Sequence, residues 1–134
     1  MPTSSPNWVA GGNINPSRFV TPKGTTYAFT VEEADAGEQI VGISQEGARD
    51  APISGASTLA AADTENIHVY GPGEVCMLQM GATCSAGAWL KSDADGKGTP
   101  VTANNDKYGA IALQDATAST DIIPVFVTIG FYGA

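Results

Sequence analysis

Basic residues, histidine and cysteine are all scarce in this chain of 134 residues. It has six Lys and Arg against 14 Asp and Glu, a formal net charge of −8, one His and two Cys. The basic side chains are scattered along the sequence rather than clustered. Because nucleic-acid phosphates and anionic lipid surfaces are bound by clustered Lys and Arg, this composition argues against both as partners.

Long apolar runs are also absent. The longest, Ile122–Val127, is interrupted by Pro124 and is far shorter than the ~20 residues that cross a bilayer. The opening MPTSSPNWVAGG shows no basic region followed by an apolar run, so no signal peptide is predicted. Two cysteines do not make a disulfide scaffold, and synthesis in a reducing cytoplasm is the simplest expectation.

Residues that carry catalysis or metal binding form no constellation. The single histidine, His68, alternates with Ile67 and Val69, where a half-exposed strand position is expected rather than a metal ligand. Cys76 lies in an apolar segment, so a buried inert thiol is expected rather than a nucleophile. If a turn centres on residue 80, Cys76 would face Cys84. The two cysteines could then be either free thiols or a disulfide, and the sequence does not decide between them. No enzyme activity, metal or cofactor is expected.

Two acidic stretches have plain structural interpretations. Carboxylates between residues 32 and 38 are typical of a solvated loop, since glycosidase-type pairs come from distant strands. The sequence at 93–96, DADG, lacks the further ligands of a calcium loop. It is interpreted as a hairpin turn.

Glycine, proline and short alternating apolar segments dominate what is present. Tyr27, Phe29 and Val31 alternate with small or polar residues, and turn signals recur at roughly 8–12-residue intervals, a pattern typical of an all-β sandwich or barrel. Helix is limited to single turns at 31–36 and 57–62, and no repeat period stands out. We predict an all-β fold, either a compact β-sandwich or a small β-barrel.

The last apolar run predicts an unusual strand. Ile122–Ile129 is apolar at both alternating sets of positions, as expected for a strand covered on both sides. Pro124 lacks an N–H, so this strand is expected at a sheet edge or a bulge.

Residues 1–17 are predicted to form an extended N-terminal arm, and residues 18–134 a single β domain. Pro2, Pro6 and Pro16 leave the arm few backbone donors. Trp8, Val9 and Ile14 nevertheless suit docking on a surface, either that of its own domain or that of a partner.

A series of short phrases resembles the sequences of tailed-phage capsid decoration, or cement, proteins. GGNINPSRFV at 11–20 is similar to their N-terminal segment, and GEQIVGIS at 37–44 to their next strand. VYGPGEV at 69–75, GAWL at 87–90, YGAIAL at 108–113 and the strand at 122–129 follow in the same order. The resemblance extends from about residue 9 to residue 130.

This resemblance implies a non-enzymatic virion protein, made in the host bacterial cytoplasm and bound to the outer capsid surface. Such proteins stabilise the expanded icosahedral head across junctions of the major capsid protein, as monomers or homotrimers, and bind no nucleic acid, membrane or cofactor. The arm and the start of the domain are then the expected capsid contact, through Trp8, Val9, Ile14, Pro16, Arg18 and Phe19.

The alternative is a carbohydrate- or protein-binding β-sandwich module of a phage tail or other virion appendage. Sugar platforms expose several aromatic faces. Aromatic residues make up only 7% of the chain, and core positions are expected for Tyr27, Phe29, Phe126 and Phe131. The sequence therefore favours the decoration protein.

Overall fold

The chain folds into two curled β-sheets, with no helix among the described residues. The computed structural model describes residues 8–24, 29–48, 57–103 and 105–132. Six strands form the first sheet: β1 (Trp8–Ala10), β2 (Phe19–Pro22), β3 (Thr30–Glu33), β4 (Gly42–Ser44), β5 (Asn66–Ile67) and β6 (Val69–Tyr70). Five form the second: β7 (Val75–Gln79), β8 (Trp89–Ser92), β9 (Gly98–Pro100), β10 (Lys107–Ala112) and β11 (Ile122–Phe131). The single helical turns expected at 31–36 and 57–62 do not form.

Both sheets curl until their edges meet. The first has the order β5-β1-β3-β2-β4-β6, and only His68 separates its two edge strands along the chain. The second has the order β7-β11-β10-β8-β9, and a parallel bridge between Met80 and Gly98 joins its two edges. Closure of this kind removes exposed strand edges. The predicted all-β class is confirmed, as two small barrel-like sheets.

The two sheets are two copies of one motif, the first half in residues 8–70 and the second half in residues 75–131. Phe19 pairs with Ile43 in the first half, and Trp89 pairs with Ile111 at the equivalent place in the second. β1 to β4 correspond in order to β7 to β10, and β11 takes the place of β5 and β6 together.

Hydrogen bonds and backbone angles repeat between the halves as well. The Ala10 N–H donates to the Glu65 carbonyl at 2.8 Å, and the Met80 N–H donates to the Asp121 carbonyl at 2.7 Å. Positive φ angles, which are uncommon outside glycine, recur at four equivalent pairs: Ser17 and Gly87, Phe29 and Gly96, Gly37 and Asn105, Thr64 and Thr120. These coincidences show that the backbone path is duplicated.

The sequence shows no repeat period, and the structure explains why the duplication leaves none. Equivalent residues are not separated by a constant interval: Phe19 and Trp89 are 70 positions apart, whereas Val69 and Val125 are 56 apart. The intervening loops have different lengths in the two halves, so no fixed period exists for a sequence scan to detect.

The described part of the predicted arm belongs to the domain. Trp8–Ala10 forms β1, which pairs parallel with β3 and antiparallel with β5. Ile14 is completely buried and forms a bridge with Ala61. Residues 8–17 are therefore part of the β domain and not a separate arm, because their apolar side chains complete the first half's core. Residues 1–7 lie outside the described residues.

The second half covers one face of the first. Phe19, Ile40 and Ile43 belong to the same buried cluster as the core of the second half. A Cβ added to Gly109 would lie 2.8 Å from Phe19 Cε1 and 2.9 Å from Ile40 Cδ1. Glycine at position 109 thus permits the close approach of the two halves.

The β11 strand differs from its prediction in two respects. Ile122 and Phe126 are 53% and 37% exposed, so only one side of the strand is covered. Pro124 lies in a strand between β7 and β10, not at an edge, and pairs with Met77. The Met77 N–H donates to Glu46 Oε2 at 2.9 Å, so this pair requires no N–H from the proline. The irregularity in the pairing of β11 with β10 lies further along, between Val127 and Gly130.

Candidate interaction surfaces

The six predicted capsid-contact residues fall into buried and accessible groups. Ile14 and Phe19 are both 0% exposed, so neither side chain is available to a partner in this structure. Both leave the set of candidates, because they fill the core and the junction between the halves. Trp8 and Val9 are half-buried on β1, and Pro16 is half-buried in the turn before β2.

Arg18 ties the two halves together. Its Nε donates to Gln79 Oε1 at 3.1 Å, and its Nη1 donates to the Asp95 carbonyl at 3.0 Å. Nη1 also lies 3.8 Å from Glu33 Oε2, and the Arg18 side chain is only 13% exposed. These contacts give Arg18 an internal structural role, which leaves its guanidinium little capacity for a partner.

The half-buried Trp8 forms an aromatic pair with the exposed Phe29. The ring centroids are 5.8 Å apart and nearly perpendicular at 88°, and Phe29 is 53% exposed. Phe29 has a φ of 59°, which turns the backbone just before β3 begins. A groove of about 420 Å³ lies on the same half and is lined by Val9, Ala10, Gly11, Lys23, Thr30, Asp63 and Thr64.

The core positions expected for the aromatic residues are wrong in three cases. Phe29 is 53% exposed, Phe126 37% and Phe131 63%; Tyr27 lies outside the described residues. Alternation along a strand indicates which side chains share a face, but it does not indicate whether that face is covered. Exposed aromatic residues are therefore more numerous than the sequence suggests.

Both cysteines are free thiols. Burial and the nearby carboxylates of Glu46 and Glu74 raise the pKa of the Cys76 thiol to about 12. Burial also raises the pKa of Cys84, which bridges to Ala116. Neither environment favours the thiolate, the form that reacts as a nucleophile.

The side chains of His68 and the acidic turns make local contacts with their sequence neighbours. The imidazole of His68 is exposed and lies edge-on to the Tyr70 ring, with the centroids 4.7 Å apart. Glu38 Oε1 accepts the Asp35 N–H at 2.7 Å, and Asp93 Oδ1 accepts the Asp95 N–H at 2.8 Å. Within the described ranges, no three His, Cys, Asp or Glu side chains are grouped so as to hold a metal ion. The same ranges contain no helix with the length and apolarity needed to cross a membrane.

Comparisons with known proteins give a structural neighbour. A scan against protein-family models finds no match, and a search of the curated proteins finds none either. Among solved structures, the fold is similar to the N base of the head fibre protein gp8.5 of bacteriophage phi29, with a TM-score of 0.67. The match covers 96% of each chain at 12% sequence identity. At this identity the likeness shows the fold alone.

Proposed function

We propose that this chain is a non-enzymatic structural protein of a tailed-phage virion, attached to the outside of the head through the major capsid protein. The observation that carries the proposal is the likeness to the base of a phage head fibre, which extends over nearly the whole of both chains. The phrases that resemble capsid decoration proteins support the same assignment and come from the sequence independently. Bracing of the expanded head across capsid-protein junctions is the role we infer.

The Trp8–Phe29 pair is the contact that we assign to the capsid. Accessible aromatic residues are typical anchors of protein interfaces, because they bury a large area and lose little conformational entropy. The rings are partly exposed on the first half. Val9, the next residue of β1, lines the groove. Ile14, Arg18 and Phe19 contribute by shaping the domain.

Co-sedimentation of the purified protein with expanded heads of the parent phage tests the proposal. Phe29→Asn should weaken binding about 10-fold and Trp8→Ala about 30-fold, as expected for interface anchors. Phe131→Ser removes an aromatic ring of the second half that is also more than half exposed and should leave binding unchanged.

Three outcomes contradict the proposal. Wild-type protein that fails to bind heads excludes the capsid role, and glycan binding in its place favours the appendage module. Equal binding by wild type and Phe29→Asn excludes the assigned contact. Because Trp8 also packs against the first half's core, Phe29→Asn is the decisive variant, with a thermal melt to show that it folds.

A further inference from the structure

A continuous apolar surface covers the solvent side of β7, β11 and β10. Val75 and Ile111 flank Phe126 on its two neighbouring strands. Met77 lies opposite Pro124 on one side, and the Leu113 N–H donates to the Pro124 carbonyl on the other. We call this surface the outer apolar face; it consists of Val75, Met77, Ile111, Leu113, Ile122, Pro124 and Phe126.

The outer apolar face holds most of the strongly exposed hydrophobic side chains of the described chain. Val75 is 59% exposed, Ile122 53%, Leu113 49% and Phe126 37%. Scattered apolar residues are normal on a protein surface, whereas a contiguous patch of this kind marks an interaction site. We therefore expect a partner to cover this face.

The first half shows what covers the equivalent surface. Its counterparts of Ile111 and Phe126 are Ile43 and Tyr70, which pair with each other in the same register. Ile43 is completely buried, and Tyr70 packs against the same cluster, which includes the core of the second half. Within one chain, this face of the motif is thus covered by a second copy of the motif.

Sequence differences between the halves support the same conclusion. Where the first half's face extends beyond the junction, it carries polar side chains that are exposed or half-buried. The second half has apolar side chains at those equivalent positions. The pairs are Gln45 and Leu113, Asn66 and Ile122, and His68 and Pro124.

The charge distribution restricts where two copies can meet. The chain carries a net charge of −8, so most pairs of surfaces on two copies repel each other. None of the strands β7 to β11 contains Asp or Glu, which makes the outer apolar face the natural meeting point. Association there hides apolar area, with carboxylates only at its edges, such as that of Glu46, which accepts the Met77 N–H.

We infer that the outer apolar face binds a second copy of this chain. The contact is made by side chains: in the junction within the chain, the Gln79 N–H donates to the Ser17 carbonyl of the other half. The equivalent donor in the first half, the Val9 N–H, is already bonded to the Phe29 carbonyl at 2.9 Å. A second copy therefore has no free Val9 N–H with which to repeat this backbone hydrogen bond. The inference does not depend on the proposed function.

Analytical ultracentrifugation of the wild-type protein over a range of concentrations tests the inference. The expected mass is a multiple of 13.7 kDa. The double variant Leu113→Gln/Ile122→Asn, which installs the polar residues of the first half, should weaken association by about 100-fold. Phe29→Asn, which removes an exposed ring from the other half, is the control and should associate like the wild type.

A wild-type protein that is monomeric at every concentration overturns the inference, and so does a double variant that associates as strongly as the wild type. Circular dichroism and a thermal melt confirm that the double variant is folded. If the wild type is monomeric and the double variant loses only head binding, the face serves the capsid and self-association is excluded.

Discussion

The side chain of Met80 occupies the space that a side chain at Gly98 would fill. A Cβ added to Gly98 would lie 2.8 Å from Met80 Sδ and 2.7 Å from Leu78 Cδ2. Met80 and Gly98 also form the bridge that closes the second sheet. In the first half, the equivalent bridge places the small and the large residue on the opposite strands. There the equivalent residues are Ala10 and Val31, both buried, so the small and the large residue have changed places.

This exchange of sizes predicts a compensating pair of mutations. Gly98→Val should cost about 1–3 kcal/mol of unfolding free energy through overpacking, and Met80→Ala about 2–5 kcal/mol through the cavity it leaves. The double variant recreates the first half's arrangement and should be at least about 1 kcal/mol more stable than the sum of the single costs predicts. Urea denaturation measures all three, and strictly additive costs would contradict the equivalence of the two halves.

The ion pair of Lys91 and Asp106 predicts a pH-dependent contribution to stability. Lys91 Nζ lies 2.9 Å from Asp106 Oδ2, which also accepts the Ala103 N–H at 3.1 Å. The hydrogen bond from Lys91 is the main cause that lowers the pKa of Asp106. A lowered pKa in the folded state means that the stabilisation is complete above about pH 4, the ordinary range for Asp, and is lost as the pH falls through the lowered value.

Asp106→Asn should therefore lower the melting temperature at pH 7 and have a much smaller effect near pH 2. Asp63→Asn, a change at an exposed acid of the first half, is the control. Melting curves at the two pH values check this, and an Asp106→Asn effect that is the same at both would show that the carboxylate charge contributes nothing.

The free thiols predict a simple chemical result. Under denaturing, non-reducing conditions two thiols per chain should react with a colorimetric thiol reagent, because Cys76 and Cys84 are unpaired. In the native protein Cys76 should react far more slowly than a free cysteine, since it is buried and its raised pKa keeps it protonated. A count below two in denaturant would reveal a disulfide.

The sequence predicts the fold class because short alternating segments such as Ile67–Tyr70 and Tyr108–Leu113 carry the strand pattern directly. It does not reveal the duplication, since equivalent core pairs such as Val69 and Val125 preserve size and polarity but not spacing. The assignment of Phe19 to the capsid contact illustrates a different limit. An apolar residue after a proline-rich segment suits an exposed anchor, and only the packing of the second half against it shows that it is internal.

The candidate surfaces were the least predictable feature. Ile122 and Phe126 produce an apolar run that suggests a strand covered on both sides, whereas one side is exposed in the isolated chain. The pattern did indicate two apolar faces correctly. Whether a partner covers the second face is a property of the assembly, which the sequence of one chain does not contain.

A cryo-electron microscopy map of the parent virion tests the central claim most directly. The proposed function predicts density for this two-part β fold on the outer surface of the head, at junctions between major capsid protein subunits, with Trp8 and Phe29 facing the capsid. Density for the chain in the tail or another appendage, or its absence from the head of a complete virion, would contradict the proposal.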